Sequence, residues 1–202
     1  MSDDTTTEGL RVLASDENEE TLRETDEILT GLGHTVIAHA VNVAEAAEHI
    51  ARDDPDLSVV VVDADDDHAL ELIEEISEYA RGPIIALLGT HDSGFVRSAA
   101  ERGIDAFARP RFLEEVRGAI ELAMRRHAET TRLAEQVEQL EGALQRRAMI
   151  ERAKGILMER HGVDERQAFE LLRQHARRSS RRVVELAHAV AEGHALLPNR
   201  SQ

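Results

Sequence analysis

Three acidic side chains and one island of basic ones have the types and spacing to do chemistry in this chain. Asp16 and Glu17 come just after an apolar run, Leu10–Ala14, and Asp63 directly follows another, Leu57–Val62. Carboxylates gathered at the ends of two such runs would suit a hard cation such as Mg²⁺, with one of them placed to accept a phosphoryl group. Against this, turns after strands are often acidic, and Asp and Glu together number 40 here. Spacing alone leaves both readings open.

The basic island lies near the other end. Between Glu141 and Val190 there are 11 basic and 7 acidic residues, in a chain whose net charge is -16. Arg147 and Lys154 are seven residues apart, so on a helix they project from nearly the same side. Gly155 follows, in mid-helix, where it costs about 1 kcal/mol relative to Ala. That cost is compensated where another backbone, protein or nucleic acid, must come close. Arg177-Arg178 and Arg181-Arg182 bracket Ser179-Ser180, which interrupts the helical pattern. A polyanion partner fits this end; a helix crossing at the glycine and a solvated arginine face are the plainer alternative. Phe169, the single aromatic residue of this region, is expected in the core.

Positioning these residues requires two kinds of structure. Leu10–Ala14, His34–Ala40, Leu57–Val62, Pro83–Leu88 and Ile104–Ala108 read as short strands, separated by four amphipathic helices and followed by a fifth after Arg111. Val59-Val60-Val61-Val62 has no polar alternation, as in a central strand covered on both faces. Five βα units imply a doubly wound parallel sheet with right-handed crossovers. Its ligand chemistry would gather at the carboxyl ends of the strands, where Asp16 and Asp63 fall.

Downstream, Phe112–Leu144 reads as one long helix. Leu133, Val137, Leu140 and Leu144 are spaced 4, 3 and 4, one face at the coiled-coil period, and nothing obvious in the connector covers them. A homodimer connector is therefore expected. Three short helices follow: about Ala143–His161 ending at Gly162, one starting after the N-cap residue Asp164, and one after Ser179-Ser180. The expected divisions are a disordered acidic tail over 1–9, an α/β domain over 10–124, a helical connector over 125–142, an all-α bundle over 143–193 and a tail over 194–202.

Two resemblances sharpen these readings. VLASDEN (Val12–Asn18), PDLSVVVVD ending at Asp63, and GIDAFARP (Gly103–Pro110) together resemble a response-regulator receiver domain. The resemblance implies that Asp63 is the phosphoacceptor and that Asp16 and Asp63 hold a metal, with Glu17, Thr90 and Arg109 as neighbours of the phosphoryl site. It also implies a histidine kinase or another signalling protein upstream. The match is degenerate. Ser15 stands where an acidic residue is usual, and the fourth strand ends in Leu88-Gly89, with Thr90 two residues late. Arg109 replaces the lysine before Pro110, keeping the charge but not the compact ammonium. Phosphorylation and signalling by contacts alone both remain open.

The second resemblance is to the ANTAR family, carried by AKGILMERHGVDERQAFELLRQHAR (Ala153–Arg177) with Ala143-Leu144, Arg147 and Ile150. It implies an RNA-binding transcription antiterminator that engages paired hairpins in nascent transcripts. It also gives a reason for Lys154, the one lysine of an arginine-biased chain. A DNA-binding regulator with a pseudo-receiver is the alternative, since three basic helices also suit a duplex groove.

Composition sets outer bounds. Without cysteine there is neither a disulfide framework nor thiolate chemistry. No basic start with an apolar run marks a signal peptide, and no stretch approaches the ~18 apolar residues of a spanning helix, so a cytoplasmic protein off the membrane is expected. An enzyme, such as a phosphatase built on Asp16 and Asp63, would have only carboxylates to work with and is not expected. The acidity fits adaptation to a salt-rich cytoplasm, where screening reduces self-repulsion, or docking of a basic partner. Residues 1–110 carry a net of -19 and residues 111–202 a net of +3, which marks a domain boundary.

Overall fold

The structure, a computed structural model, describes residues 9–16, 18–62, 66–89 and 93–193. Strands β1 (Arg11–Ser15), β2 (Thr35–Ala40), β3 (Leu57–Val62), β4 (Ile84–Leu88) and β5 (Ala106–Ala108) alternate with helices α1 (Glu19–Gly31), α2 (Val43–Asp53), α3 (Asp66–Tyr79) and α4 (Ser93–Glu101). Helix α5 (Leu113–His161) comes next, then α6 (Glu165–Ser179) and α7 (Val183–Ala191). The chain divides into two compact units, Met1–Thr131 and Arg132–Gln202.

In the first unit all strand pairs are parallel and the order is β2-β1-β3-β4-β5. Every residue of β3 is buried, Ser58 included, as expected of a strand whose run Val59–Val62 has no polar alternation. The period of two sorts the side chains between two cores. Leu13, Val60, Val62, Ala86 and Leu88 pack with Ile50 of α2, Leu72, Ile73 and Ile76 of α3, and Phe95 of α4. Val12, Leu57, Val59, Ile85 and Leu87 pack on the opposite face with Leu29 of α1 and Val116, Ile120 and Ala123 of α5. Truncating one of these buried residues, as in Leu13→Ala, would cost about 2–5 kcal/mol through lost burial and a cavity. The order reverses direction between β1 and β3, so the crevice at their carboxyl ends is where this fold places a ligand.

Local signals fix the connections. Asn18 caps α1 by accepting the Glu20 N–H at 2.9 Å, and Asn42 caps α2 by accepting the Glu45 N–H at 3.0 Å. A Cβ at Gly82 would lie 2.4 Å from the carbonyl oxygen of Asp56, so the approach to β4 tolerates only glycine. The strands differ from the sequence expectation at their ends. Strand β1 continues through Ser15, and β5 begins at Ala106 rather than Ile104. Before β5, Asp105 already pairs with β4: its N–H bonds to the carbonyl of Ile84 and its Oδ2 accepts the Ile84 N–H, both at 2.8 Å.

In the second unit Ala153 and Leu157 of α5 pack with Ala168, Leu171, Leu172 and Ala176 of α6 and Leu186, Ala187 and Val190 of α7. Gly162, at φ +62°, ends α5, and its N–H bonds to the carbonyl of Met158 at 2.9 Å. Asp164 and Gln167 then start α6 with a reciprocal capping box. The connector and the first bundle helix, expected to meet near Ala143, form one helix of 49 residues. Nothing between Phe112 and His161 breaks it except Gly118, Gly142 and Gly155, each of which a long helix can absorb.

Candidate functional site

At the carboxyl end of β1, Asp16 is buried. Its Oδ1 accepts the Asn18 N–H at 3.1 Å, and its own N–H bonds to the carbonyl of Ala40 at 3.0 Å. Its Oδ2 and the Oγ of Ser15 are buried without a hydrogen bond among the described residues. A buried carboxylate oxygen without a donor is costly unless something positive meets it. That makes Asp16 a suitable single oxygen ligand for a hard cation. Asp63, Glu17 and Thr90, expected beside it, lie outside the described residues. Among the described residues no group of three or more acidic or histidine side chains gathers as a metal site.

Arg109, expected as a neighbour of the phosphoryl site, is engaged by Glu115 and Phe112. Its Nε donates to Glu115 Oε2 at 2.8 Å, its Nη2 pairs with Glu115 Oε1, and its guanidinium lies 4.1 Å from the centroid of the Phe112 ring. These contacts hold it at the start of α5 and raise its pKa further, chiefly through the hydrogen bond to Glu115. The reason is geometric: a planar fork matches a carboxylate in two bonds and can lie over a ring, where an ammonium would do neither.

The second unit separates the residues expected to act together on nucleic acid. Arg147 is exposed, whereas Lys154 is buried. The Lys154 Nζ donates to Glu151 Oε2 at 2.7 Å and Oε1 at 2.9 Å, and to Glu165 Oε1 at 2.6 Å. Glu151 first, then Glu165, raise its pKa and hold it charged. Lys154 does not share an open face with Arg147. The two lie on the same side of α5, but the start of α6 covers only the second. A pair of carboxylates then neutralises the covered ammonium, as burial requires. Glu151, three residues before Lys154, was the sequence signal for this pairing.

The remaining basic positions are open. Arg147, Arg177, Arg178 and Arg182 are exposed and form no ion pair among the described residues. Arg181 sits 3.7 Å from Glu185 Oε2, an exposed and weak pair. Ser180 adopts a left-handed conformation, φ +53°, and the Arg181 N–H bonds to the carbonyl of Ala176 at 3.0 Å. Ser179 Oγ donates to the carbonyl of His175 at 2.7 Å. The turn displaying the four arginines is thus held by its own hydrogen bonds. Gly155 is exposed, and a Cβ there would meet nothing within 4 Å, so none of the described residues makes the close approach that a helix crossing would need. Leu133, Val137, Leu140 and Leu144 are 49–65% exposed along α5. Phe169, expected in the core, is 38% exposed; the core-facing positions of α6 are its neighbours Ala168 and Leu172.

Comparison with known proteins agrees with this division. Residues 138–190 match the ANTAR domain family. The transcriptional regulatory protein PdtaR of Mycobacterium tuberculosis is 29% identical over 180 residues, covering 87% of this chain and 88% of that protein. The receiver fold is found again in the response regulator domain of Thermotoga maritima CheB, which is 18% identical with a TM-score of 0.51 and covers 58% of this chain and 97% of that one. The chain has the receiver-plus-ANTAR organisation of a response regulator. The nitrate regulatory protein of Klebsiella oxytoca is 40% identical over 68 residues, 34% of this chain and 17% of that protein. Both families are regulatory rather than enzymatic. No helix among the described residues is long and apolar enough to cross a membrane.

Proposed function

We propose that this response regulator is a transcription antiterminator whose ANTAR domain binds RNA hairpins in nascent transcripts and keeps a terminator from forming. The observation that carries this reading is the set of exposed arginines without ion pairs among the described residues, Arg147, Arg177, Arg178 and Arg182, on an ANTAR domain of an otherwise acidic chain. Arginine forks match phosphate in two bonds, and guanidinium planes can stack on bases splayed out of a loop. Arg181 adds to this surface once its weak pair with Glu185 opens. Lys154 supports the domain from inside, and Gly155 leaves an open notch beside it.

Signal input enters through the receiver unit. Asp16, with its free buried oxygen, would hold Mg²⁺ together with Asp63, and the cation would lower the charge barrier to phosphoryl transfer onto Asp63. Glu17 and Thr90 are the further candidates around that group, and a histidine kinase or other signalling protein would supply it. Arg109, held by Glu115, gives little help there, so transfer is expected to be slow. The exposed stripe on α5 supports a homodimer, which would present two ANTAR domains to two hairpins.

Titration of the full chain with a two-hairpin RNA, in competition with duplex DNA of equal length, tests the reading. Hairpin RNA should resist the competitor, and binding should weaken steeply with salt. Preference for the duplex would make the protein a DNA-binding regulator instead.

A further inference from the structure

The exposed ring of Phe169 borders a cavity of about 430 Å³ between the first turn of α6 and the side of α5, lined also by Lys154, Asp164, Glu165 and Arg166. We infer that this cavity receives one unstacked RNA base carrying an exocyclic amine, with Phe169 as its stacking platform. The inference rests on the RNA-binding reading of this domain and names a subsite within it.

Its size falls within the range of small-ligand pockets, about 300–1,000 Å³. Its walls divide the work that a base requires. An aromatic ring on the open side of a polar helix exposes apolar surface that a base would cover, and base–aromatic stacking tolerates any base. Hydrogen-bond capacity is left over at the acidic side chains. Asp164 Oδ1 is used by the Gln167 N–H at 2.8 Å and Glu165 Oε1 by Lys154 at 2.6 Å, while the second oxygen of each has no partner among the described residues. Two free carboxylate oxygens repel a phosphate and accept N–H groups, so they select the base end of a nucleotide over its phosphate. Adenine, cytosine and guanine each offer an amine to such an acceptor. Uracil offers one N–H between two carbonyl oxygens, which the carboxylates would repel. Arg166, exposed and without an ion pair, stands at the rim, where the phosphate of the same nucleotide would lie. Lys154 takes no part in the contact. By neutralising Glu165 on one oxygen it fixes that carboxylate with the other oxygen available.

The chain contains no tryptophan, so Phe169→Trp supplies a single tryptophan reporter at the site, excited selectively over Tyr79. The full-length variant is titrated with labelled RNA hairpins of one stem and eight-nucleotide loops of adenine, cytosine or uracil, following RNA anisotropy and tryptophan emission together. Adenine and cytosine loops should quench the emission and bind at least threefold more tightly than the uracil loop. In the otherwise native chain, Phe169→Leu should weaken binding of the adenine loop about tenfold, or about 1.4 kcal/mol, and Phe169→Tyr should restore it. Rising anisotropy with unchanged emission, or equal affinity of a folded Phe169→Leu protein, overturns the base pocket while leaving the RNA-binding reading in place. No rise in anisotropy with any loop, even at low salt, removes both.

Discussion

The two units of this chain group their exposed arginines differently. In the receiver unit, Arg11 donates to the carbonyls of Asp53 and Asp54, and Arg52, Arg81, Arg102 and Arg109 each face an acidic side chain, while Arg97, Arg111, Arg117, Arg125 and Arg126 are scattered, exposed and without an ion pair among the described residues. In the ANTAR unit, Lys154, Arg173 and Arg181 face carboxylates, but among the described residues Arg147, Arg166, Arg177, Arg178 and Arg182 do not, and three of these five fall within the six residues from Arg177 to Arg182. Exposed ion pairs add little to stability, so the contrast is one of availability. Arginines already facing carboxylates offer a polyanion little, whereas unpaired ones can release its counterions on contact. Overall charge conceals this, because the chain as a whole is strongly acidic.

The largest effect that would sharpen the contrast comes from removing the arginines around the turn between α6 and α7. Replacing Arg177, Arg178, Arg181 and Arg182 together by Ser should weaken hairpin binding by roughly 100-fold at low salt and flatten its salt dependence. The matched change of Arg52 and Arg81 to Ser should alter affinity less than twofold. Equal losses in both would mean that position along the chain does not matter. Next in size is assembly. Val137→Asp with Leu140→Asp places charges in the exposed stripe and should turn a dimer into a monomer without changing helix content. Light scattering that returns one mass for both proteins would remove the stripe from the account.

Lys154 sharpens the comparison from within the ANTAR unit. Lys154→Ala leaves Glu151 and Glu165 facing each other without their shared cation, so the melting temperature of this unit should fall by several degrees. Below that transition, RNA affinity should change less than for the arginine variant. A large affinity loss with unchanged melting would return Lys154 to the contact surface.

The smallest expected effect lies in the receiver unit and concerns pH. His34 is buried with an unbonded Nδ1, and burial first, then Arg117, lowers its pKa below the ordinary imidazole value of about 6.5. The unfolded chain therefore takes up this proton before the folded one does. The contribution to stability is complete above the unfolded value and is lost as pH falls from about 6.5 through the folded value. Denaturant melts between pH 7.5 and 5.5 should show this decline, reduced in His34→Gln.

The sequence made the sheet legible because β4 is apolar throughout and β3 is apolar except at Ser58, and their spacing suits parallel pairing. The caps were equally readable at Asp164 and Gly162. Side-chain destinations were less so. Periodicity put Arg147 and Lys154 on one side of α5, but only the position of α6 reveals that one of them is covered. Phe169 was misplaced for a related reason: Ala168 and Leu172 fill the core-facing positions, and an aromatic residue beside them carries no mark of which way it turns. Arg109 was legible as a cation at the end of β5, but not its bond to Glu115, six residues on.

Transcription past a terminator is the most direct test of the central claim. A template carrying two hairpins ahead of an intrinsic terminator is transcribed with and without the full chain at fixed salt. Full-length transcript should increase with the native protein and return to the protein-free level with the four-arginine variant. An unchanged ratio of full-length to terminated transcript, while the protein demonstrably binds the hairpins, would contradict the antiterminator reading.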